Sequence, residues 1–74
     1  MIEYFLNKYD GKIVYQNKIL RIIIINFSNG EEVSFTLNRN KNLKIVSNKM
    51  NDFKSSFSYN NDFLFLEKIK EYLI

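Results

Sequence analysis

The sequence predicts an α+β domain: an antiparallel meander of about five strands, with a short N-terminal helix and a C-terminal helix packed on one face. Three features predict it. Asn29-Gly30, the dipeptide suited to the positive φ angles of a type I′ turn, stands between two strand-like runs, Ile19 to Phe27 and Glu31 to Leu37. Five polar residues, Asn38 to Asn42, separate the second run from Leu43-Lys44-Ile45-Val46 and suit a longer hairpin loop. Near the C-terminus Asn60, Asn61 and Asp62 offer a cap, and Phe63, Leu66, Ile69 and Leu73 follow at helical spacing.

Taken in order, Ile2, Phe5, Leu6 and Tyr9 fit one face of a short helix, which Gly11 would close as a left-handed cap. A strand over residues 2–6 is the competing reading, because isoleucine, tyrosine and phenylalanine also suit strands. Residues 12–16 read as a strand turning at Gln16-Asn17 or Asn17-Lys18. Either turn sets Ile13 and Tyr15 beside Leu20 and Ile22, with Val14 on the side of Ile19 and Arg21.

A two-residue loop at Asn29-Gly30 places Asn26 opposite Val33, Ile24 opposite Phe35 and Ile22 opposite Leu37. Closing the Asn38 to Asn42 loop symmetrically puts Leu37 opposite Leu43 and Phe35 opposite Ile45, with Lys44 and Val46 pointing away. Phe53, Phe57 and Tyr59 alternate with Lys54, Ser56 and Ser58 and read as a fifth strand at an edge. In the last helix Phe65 and Tyr72 widen the apolar stripe. Glu67, Lys68, Lys70 and Glu71 form its wet side, where Glu67 can pair with Lys70 and Glu71 with Lys68.

The expected core is Ile13, Tyr15, Leu20, Ile22, Ile24, Val33, Phe35, Leu37, Leu43, Ile45, Phe53 and Phe57, under Phe5, Leu66, Ile69 and Leu73. A small, partly closed β-barrel with a C-terminal helix is the alternative architecture.

Composition limits the chemistry. The 74 residues suit one small domain, read as residues 1–74, and 46% are hydrophobic, enough for a single core. There is no cysteine and no histidine, which removes disulfides and the usual zinc, copper and haem ligands, so no cofactor and no metal are expected. General acid–base or nucleophilic catalysis has no histidine or cysteine to use, and no serine lies beside a base in the sequence. Glu31-Glu32 is the sole adjacent carboxylate pair, at a turn where charge normally meets water. The reading is therefore not an enzyme.

The N-terminal Met-Ile-Glu-Tyr-Phe-Leu-Asn-Lys does not read as a secretory leader, and the apolar runs Ile22 to Ile25 and Phe63 to Leu66 are too short to span a bilayer. A cytoplasmic setting is expected. Asparagine (11), isoleucine (10) and lysine (9) abound while alanine, proline and tryptophan are absent, a bias toward AT-rich codons that fits a low-GC bacterium or a mobile element.

Two surfaces are candidates for binding. The run 19–27 is apolar on both sides, so its second side needs a cover: Ile19, Arg21, Ile23, Ile25, Phe27, Lys44 and Val46 would form an outer sheet face that docks on a larger protein or nucleoprotein complex, or on a second copy as a homodimer. Lys12, Val14, Ser34 and Thr36 complete that face. The other possibility is that the first helix or barrel closure already covers it.

Residues 38–59 carry Arg39, Lys41, Lys44, Lys49 and Lys54 against Asp52, a net of +4 within a chain of +3. From these, Arg39, Lys41, Lys44 and Lys49 are the candidates for weakly specific nucleic-acid binding. The first reading leads to a small accessory protein of a phage or mobile element that inhibits a host target, for example an anti-CRISPR-like inhibitor of a defence nuclease. That step rests on the gene class such composition suggests.

Overall fold

A computed structural model describes residues 2–28, 30–48 and 59–74 of the chain. The apolar residues at helical spacing near the N-terminus do form a helix, α1 (Ile2–Lys8). Four strands follow, β1 (Gly11–Asn17), β2 (Ile22–Phe27), β3 (Glu32–Leu37) and β4 (Leu43–Ser47), then a single 3₁₀ turn (Tyr59–Asn61) and α2 (Phe63–Leu73). The strands form one antiparallel sheet in the order β1-β2-β3-β4, open rather than closed into a barrel. The class is α+β with four described strands. Of the expected fifth strand, residues 53–58 lie outside the described residues, and Tyr59 stands in the 3₁₀ turn.

The left-handed residue that ends α1 is Asp10 (φ 52°), not Gly11. Aspartate tolerates that conformation, and Gly11 is needed as the first residue of β1, opposite Phe27. A Cβ at Gly11 would lie 3.0 Å from Ile25 Cγ2 and 3.1 Å from Phe27 Cε1, so the absence of a side chain lets β1 approach the core.

The decisive difference from the sequence reading lies between β2 and β3. Gly30 N–H donates to Phe27 C=O (3.0 Å) and Phe27 N–H donates to Glu31 C=O (2.8 Å), with Gly30 at φ 87°. Three positions, 28–30, therefore separate the paired ends. This is the hairpin in which a left-handed glycine follows a turn, rather than the two-residue loop. Asn29 itself lies outside the described residues.

The extra loop residue shifts the register by one: Ile25 faces Val33, Ile23 faces Phe35, Ile24 faces Ser34 and Ile22 faces Thr36. A one-residue slip moves every side chain to the other face. Ile23, Ile25 and Phe27, expected outside, are buried at 0%, 0% and 4% relative exposure, and Ile22 and Ile24, expected inside, are half-buried on the outer face.

A second irregularity follows in β1. Ile13 pairs with Ile25, but the register steps at Val14, and Tyr15 pairs with Ile24. A bulge lets one strand change faces midway. Ile13 packs against the core as expected, while Tyr15 goes outward with Ile22 and Ile24 and is exposed. Leu20 also leaves the expected core. Asn17 pairs with Ile22, so Lys18 to Arg21 form a four-residue loop in which Asn17 Oδ1 accepts Leu20 N–H (3.0 Å). The β3–β4 pairing matches expectation, with Leu37 opposite Leu43 and Phe35 opposite Ile45.

Helix α2 is capped by Asp62, which accepts Phe65 N–H at 3.2 Å. Its buried stripe is Phe65, Ile69 and Leu73, four residues apart, with Leu66 and Tyr72 partly buried; Phe63, expected in the stripe, is exposed. Both expected surface pairs form, Lys70–Glu67 at 3.2 Å and Lys68–Glu71 at 3.5 Å. Among the described residues no helix is long and apolar enough to cross a membrane.

Both helices pack on the sheet face carrying Val33, Phe35 and Leu37. Phe65 lies at their junction, 5.4 Å from Phe5, 5.4 Å from Tyr9 and 6.1 Å from Phe35, ring centroid to centroid. Tyr59 stacks on Phe27 at 5.0 Å and meets Phe35 edge-on at 6.2 Å. Asp62 also joins the helices by accepting the Tyr9 hydroxyl and pairing with Lys8 (3.2 Å). Tyr9, then the Phe65 N–H and Lys8, hold the Asp62 carboxyl below its ordinary value against the opposing effect of burial.

Two measurements test this packing. Ile25→Ala should cost about 2–5 kcal/mol in urea unfolding, and Ile24→Ala well under half as much; the reverse order would restore the two-residue turn. Asp62→Asn should lower the urea midpoint at neutral pH and flatten the acid limb. A depressed folded-state value contributes stability that is present above the ordinary 3.8 and lost as pH falls through the folded value.

Candidate binding surfaces

The described residues hold one buried carboxylate, Glu31, at 5% exposure. The left-handed glycine before it turns Glu31 onto the face of Val33, so it does not meet water as a turn residue would. Its Oε2 accepts the hydroxyls of Ser47 (2.6 Å) and Tyr59 (2.7 Å), tying the end of β4 and the 3₁₀ turn to the start of β3. Burial, then the Glu31 carboxylate, push the Tyr59 phenol well above its ordinary 10.0, while Ser47 opposes. Glu31 and Tyr59 of this cluster are both buried. Glu32, its neighbour, is exposed, and among the described residues no group of three metal-ligating side chains comes together.

The first surface is the outer sheet face. The register assembles a row across it, Tyr15–Ile24–Ser34–Val46, and a second, Asn17–Ile22–Thr36–Lys44. Tyr15 and Val46 are 46% and 50% exposed, and Val14 at the bulge is 47% exposed. Both described helices lie on the opposite side, so among the described residues no element packs over these rows. Of the expected outer-face residues, Lys44 and Val46 are here, Ile19 and Arg21 sit in the β1–β2 loop, and Ile23, Ile25 and Phe27 face the chain's own core, out of reach of a partner. Tyr15, Ile22 and Ile24 replace them. The signal that could have found Ile22 and Ile24 is the β2–β3 loop length alone, since β2 is apolar on both sides.

The second surface is the end of the sheet where the β1–β2 and β3–β4 loops lie together. Leu37 N–H donates to Arg21 C=O (2.9 Å), which ties them. In the second loop Asn38 N–H donates to Asn42 C=O (3.0 Å), and Asn38 Oδ1 accepts the N–H groups of Asn40 (2.9 Å) and Asn42 (3.0 Å). Between the loops is an open cleft of about 540 Å³ lined by Ile19, Leu20, Arg21, Leu37, Asn38 and Arg39.

Ile19 is 92% exposed and Leu20 59%. Arg21 and Lys41 hold left-handed backbone, φ 56° and 62°, a conformation that costs a non-glycine residue about 1 kcal/mol or more. Of the basic residues expected to act together, Arg39 and Lys41 share this end, Lys44 lies on the outer face, and Lys49 lies outside the described residues. A smaller cleft of about 330 Å³, lined by Ile2, Glu3, Lys68, Glu71 and Tyr72, lies between the helices, and its Lys68 and Glu71 already pair with each other.

Comparison of the chain with protein-family models, with curated proteins and with solved structures finds no match. The surfaces are therefore read from their own chemistry.

The buried cluster carries a prediction about stability. Tyr59→Phe should cost about 1–3 kcal/mol by removing a hydrogen bond to a buried carboxylate. It should also remove part of the alkaline loss. A raised folded-state value gives stability that is complete below the ordinary 10.0 and lost as pH rises through the folded value, so urea midpoints of wild type and variant should converge at high pH.

Proposed function

We propose that the chain is a non-enzymatic binding protein that docks on a larger protein through its outer sheet face. The observation that carries this reading is the pair Ile22 and Ile24, half-buried in a surface shared with exposed Tyr15, Val14 and Val46 and uncovered by any described element. A contiguous apolar patch rimmed by polar groups marks a contact surface more often than a solvated one. Here the rim is Lys12, Asn26, Thr36 and Lys44, so a partner with an acidic border suits it. Aromatic residues are enriched in interfaces, and Tyr15 supplies one on β1, at the edge of this patch.

Composition supports the narrower form of the proposal. A chain of this size, without histidine or cysteine and biased to AT-rich codons, fits an accessory protein of a mobile element that occupies a host protein or nucleoprotein complex and inhibits it by binding.

A photo-crosslinking amino acid placed at Val46 should form an adduct with a cellular protein, and the same group at Glu67, on the wet side of α2, should not. Ile24→Ser, with the fold intact by circular dichroism, should abolish the Val46 adduct. Equal adducts from both positions, or none from Val46, would refute the proposal; an adduct of twice the chain's own mass would assign the face to a homodimer.

A further inference from the structure

The chain contains nine lysines but two arginines, and both arginines, Arg21 and Arg39, line the same cleft from different hairpins. Guanidinium groups grip oxyanions in a planar, two-bond fork that an ammonium cannot reproduce. Lys41 belongs to the same loop as Arg39, and no acidic residue occurs between Gly11 and Gly30 or between Val33 and Asn51. The carboxylates nearest in sequence, Asp10, Glu31 and Glu32, belong to the opposite end. There Ser28 N–H donates to Asp10 C=O at the β2–β3 loop. Among the described residues neither Arg21 nor Arg39 has an ion-pair partner, so the cleft offers two guanidinium groups. Lys18 is engaged elsewhere, its ammonium over the Tyr72 ring at 4.8 Å.

Charge alone would fit any polyanion, but the walls are not merely charged. Ile19, almost fully exposed, and Leu20, more than half exposed, line the cleft together with the arginines. A phosphodiester backbone has no use for these aliphatic groups, and bases stack on aromatic rings, none of which lines the cleft. A peptide carrying carboxylates next to an apolar side chain uses both kinds of wall. The loops are also held rigid, by the Arg21–Leu37 backbone bond and the two bonds to Asn38 Oδ1, which limits the entropy lost on binding.

We propose that this cleft is a second binding site, separate from the outer sheet face, that receives an acidic peptide segment bearing an apolar anchor. Arg21 and Arg39 take its carboxylates, and the exposed Ile19 and Leu20 take the anchor.

The test is nuclear magnetic resonance titration of the ¹⁵N-labelled chain with a short peptide alternating glutamate and leucine, at low salt. Amide shifts should concentrate in residues 18–21 and 38–42. Arg21→Gly with Arg39→Ala should weaken binding about tenfold or more; glycine at position 21 accepts the left-handed backbone, so the spectrum elsewhere should be unchanged. Arg21→Lys with Arg39→Lys, which keeps the charge, should still lose most of the affinity, and Ile19→Ser should lose several-fold. Oligothymidylate of the same net charge should bind more weakly than the peptide. Equal or tighter binding of the oligothymidylate would assign the cleft to nucleic acid and overturn the proposal. So would an undiminished affinity in the arginine-to-lysine variant, or shifts confined to the outer sheet face.

Discussion

The hydrogen bond from Phe27 N–H to Glu31 C=O, closing a loop of three rather than two residues, is the constraint on which the rest of the molecule depends. β3 alternates strictly, with Val33, Phe35 and Leu37 on one face and Ser34 and Thr36 on the other, so its inner side is unambiguous. β2 has no such preference: Ile22 to Ile25 are equivalent in hydrophobicity, and either pair could be buried. The loop decides between them. Gly30 in the left-handed region brings Ile25 opposite Val33 and Ile23 opposite Phe35, and Glu31 is carried inward by the same geometry. A buried carboxylate would oppose folding if left in an apolar setting. The hydroxyls of Ser47 and Tyr59 meet it there, so one loop sets the core, its polar pin and the surface left over.

Above that sheet the two helices form one layer through aromatic contact. Phe65 touches Phe5 of α1, Tyr9 just after it and the sheet ring Phe35, and Tyr59 extends the series to Phe27. Large rings suit so short a chain because each buries much area for few ordered torsions. Asp62 then serves two ends at once, capping α2 and receiving the last residues of α1. With both helices committed to this face, the other face has no described cover. That is why Ile22 and Ile24 remain half open.

Much of this was legible in the sequence, and the failures have local physical causes. The β3–β4 loop, the β3 alternation, a helix cap among residues 60–62 and both α2 ion pairs follow from residue type and spacing, because each is settled within one element or one turn. The β2 register was not legible, since Asn-Gly serves a two-residue loop and Ser-Asn-Gly a three-residue one, and a strand apolar on both sides cannot arbitrate. The step at Val14, which sends Tyr15 outward, carries no sequence mark at all. For the candidate sites, Lys44 and Val46 were placed correctly from the β3–β4 register, whereas Ile23, Ile25 and Phe27 inherited the error in the loop. Arg39 was identified by charge, but its association with Arg21 required the four-residue β1–β2 loop, which the two-residue reading of Gln16-Asn17 or Asn17-Lys18 excluded.

That association illustrates how a meander distributes charge. In an antiparallel sheet alternate loops share an end, so the β1–β2 and β3–β4 loops meet and the β2–β3 loop lies opposite, about 20 Å away along a six-residue strand. Lys18, Arg21, Arg39 and Lys41 occupy the first end; Asp10, Glu31 and Glu32 occupy the second. The separation exceeds the screening length of about 8 Å at physiological salt, so charges at the two ends act independently; at the first end Lys18 lies over the Tyr72 ring of α2, whose cleft also holds Glu3 and Glu71. An acidic surface would be drawn to the loop end first. The loop end and the outer sheet face adjoin through Lys44, whose row on the sheet begins at Asn17, the residue that opens the β1–β2 loop. For a partner that docks as proposed, contact at the loop end would therefore place it beside the neighbouring apolar face.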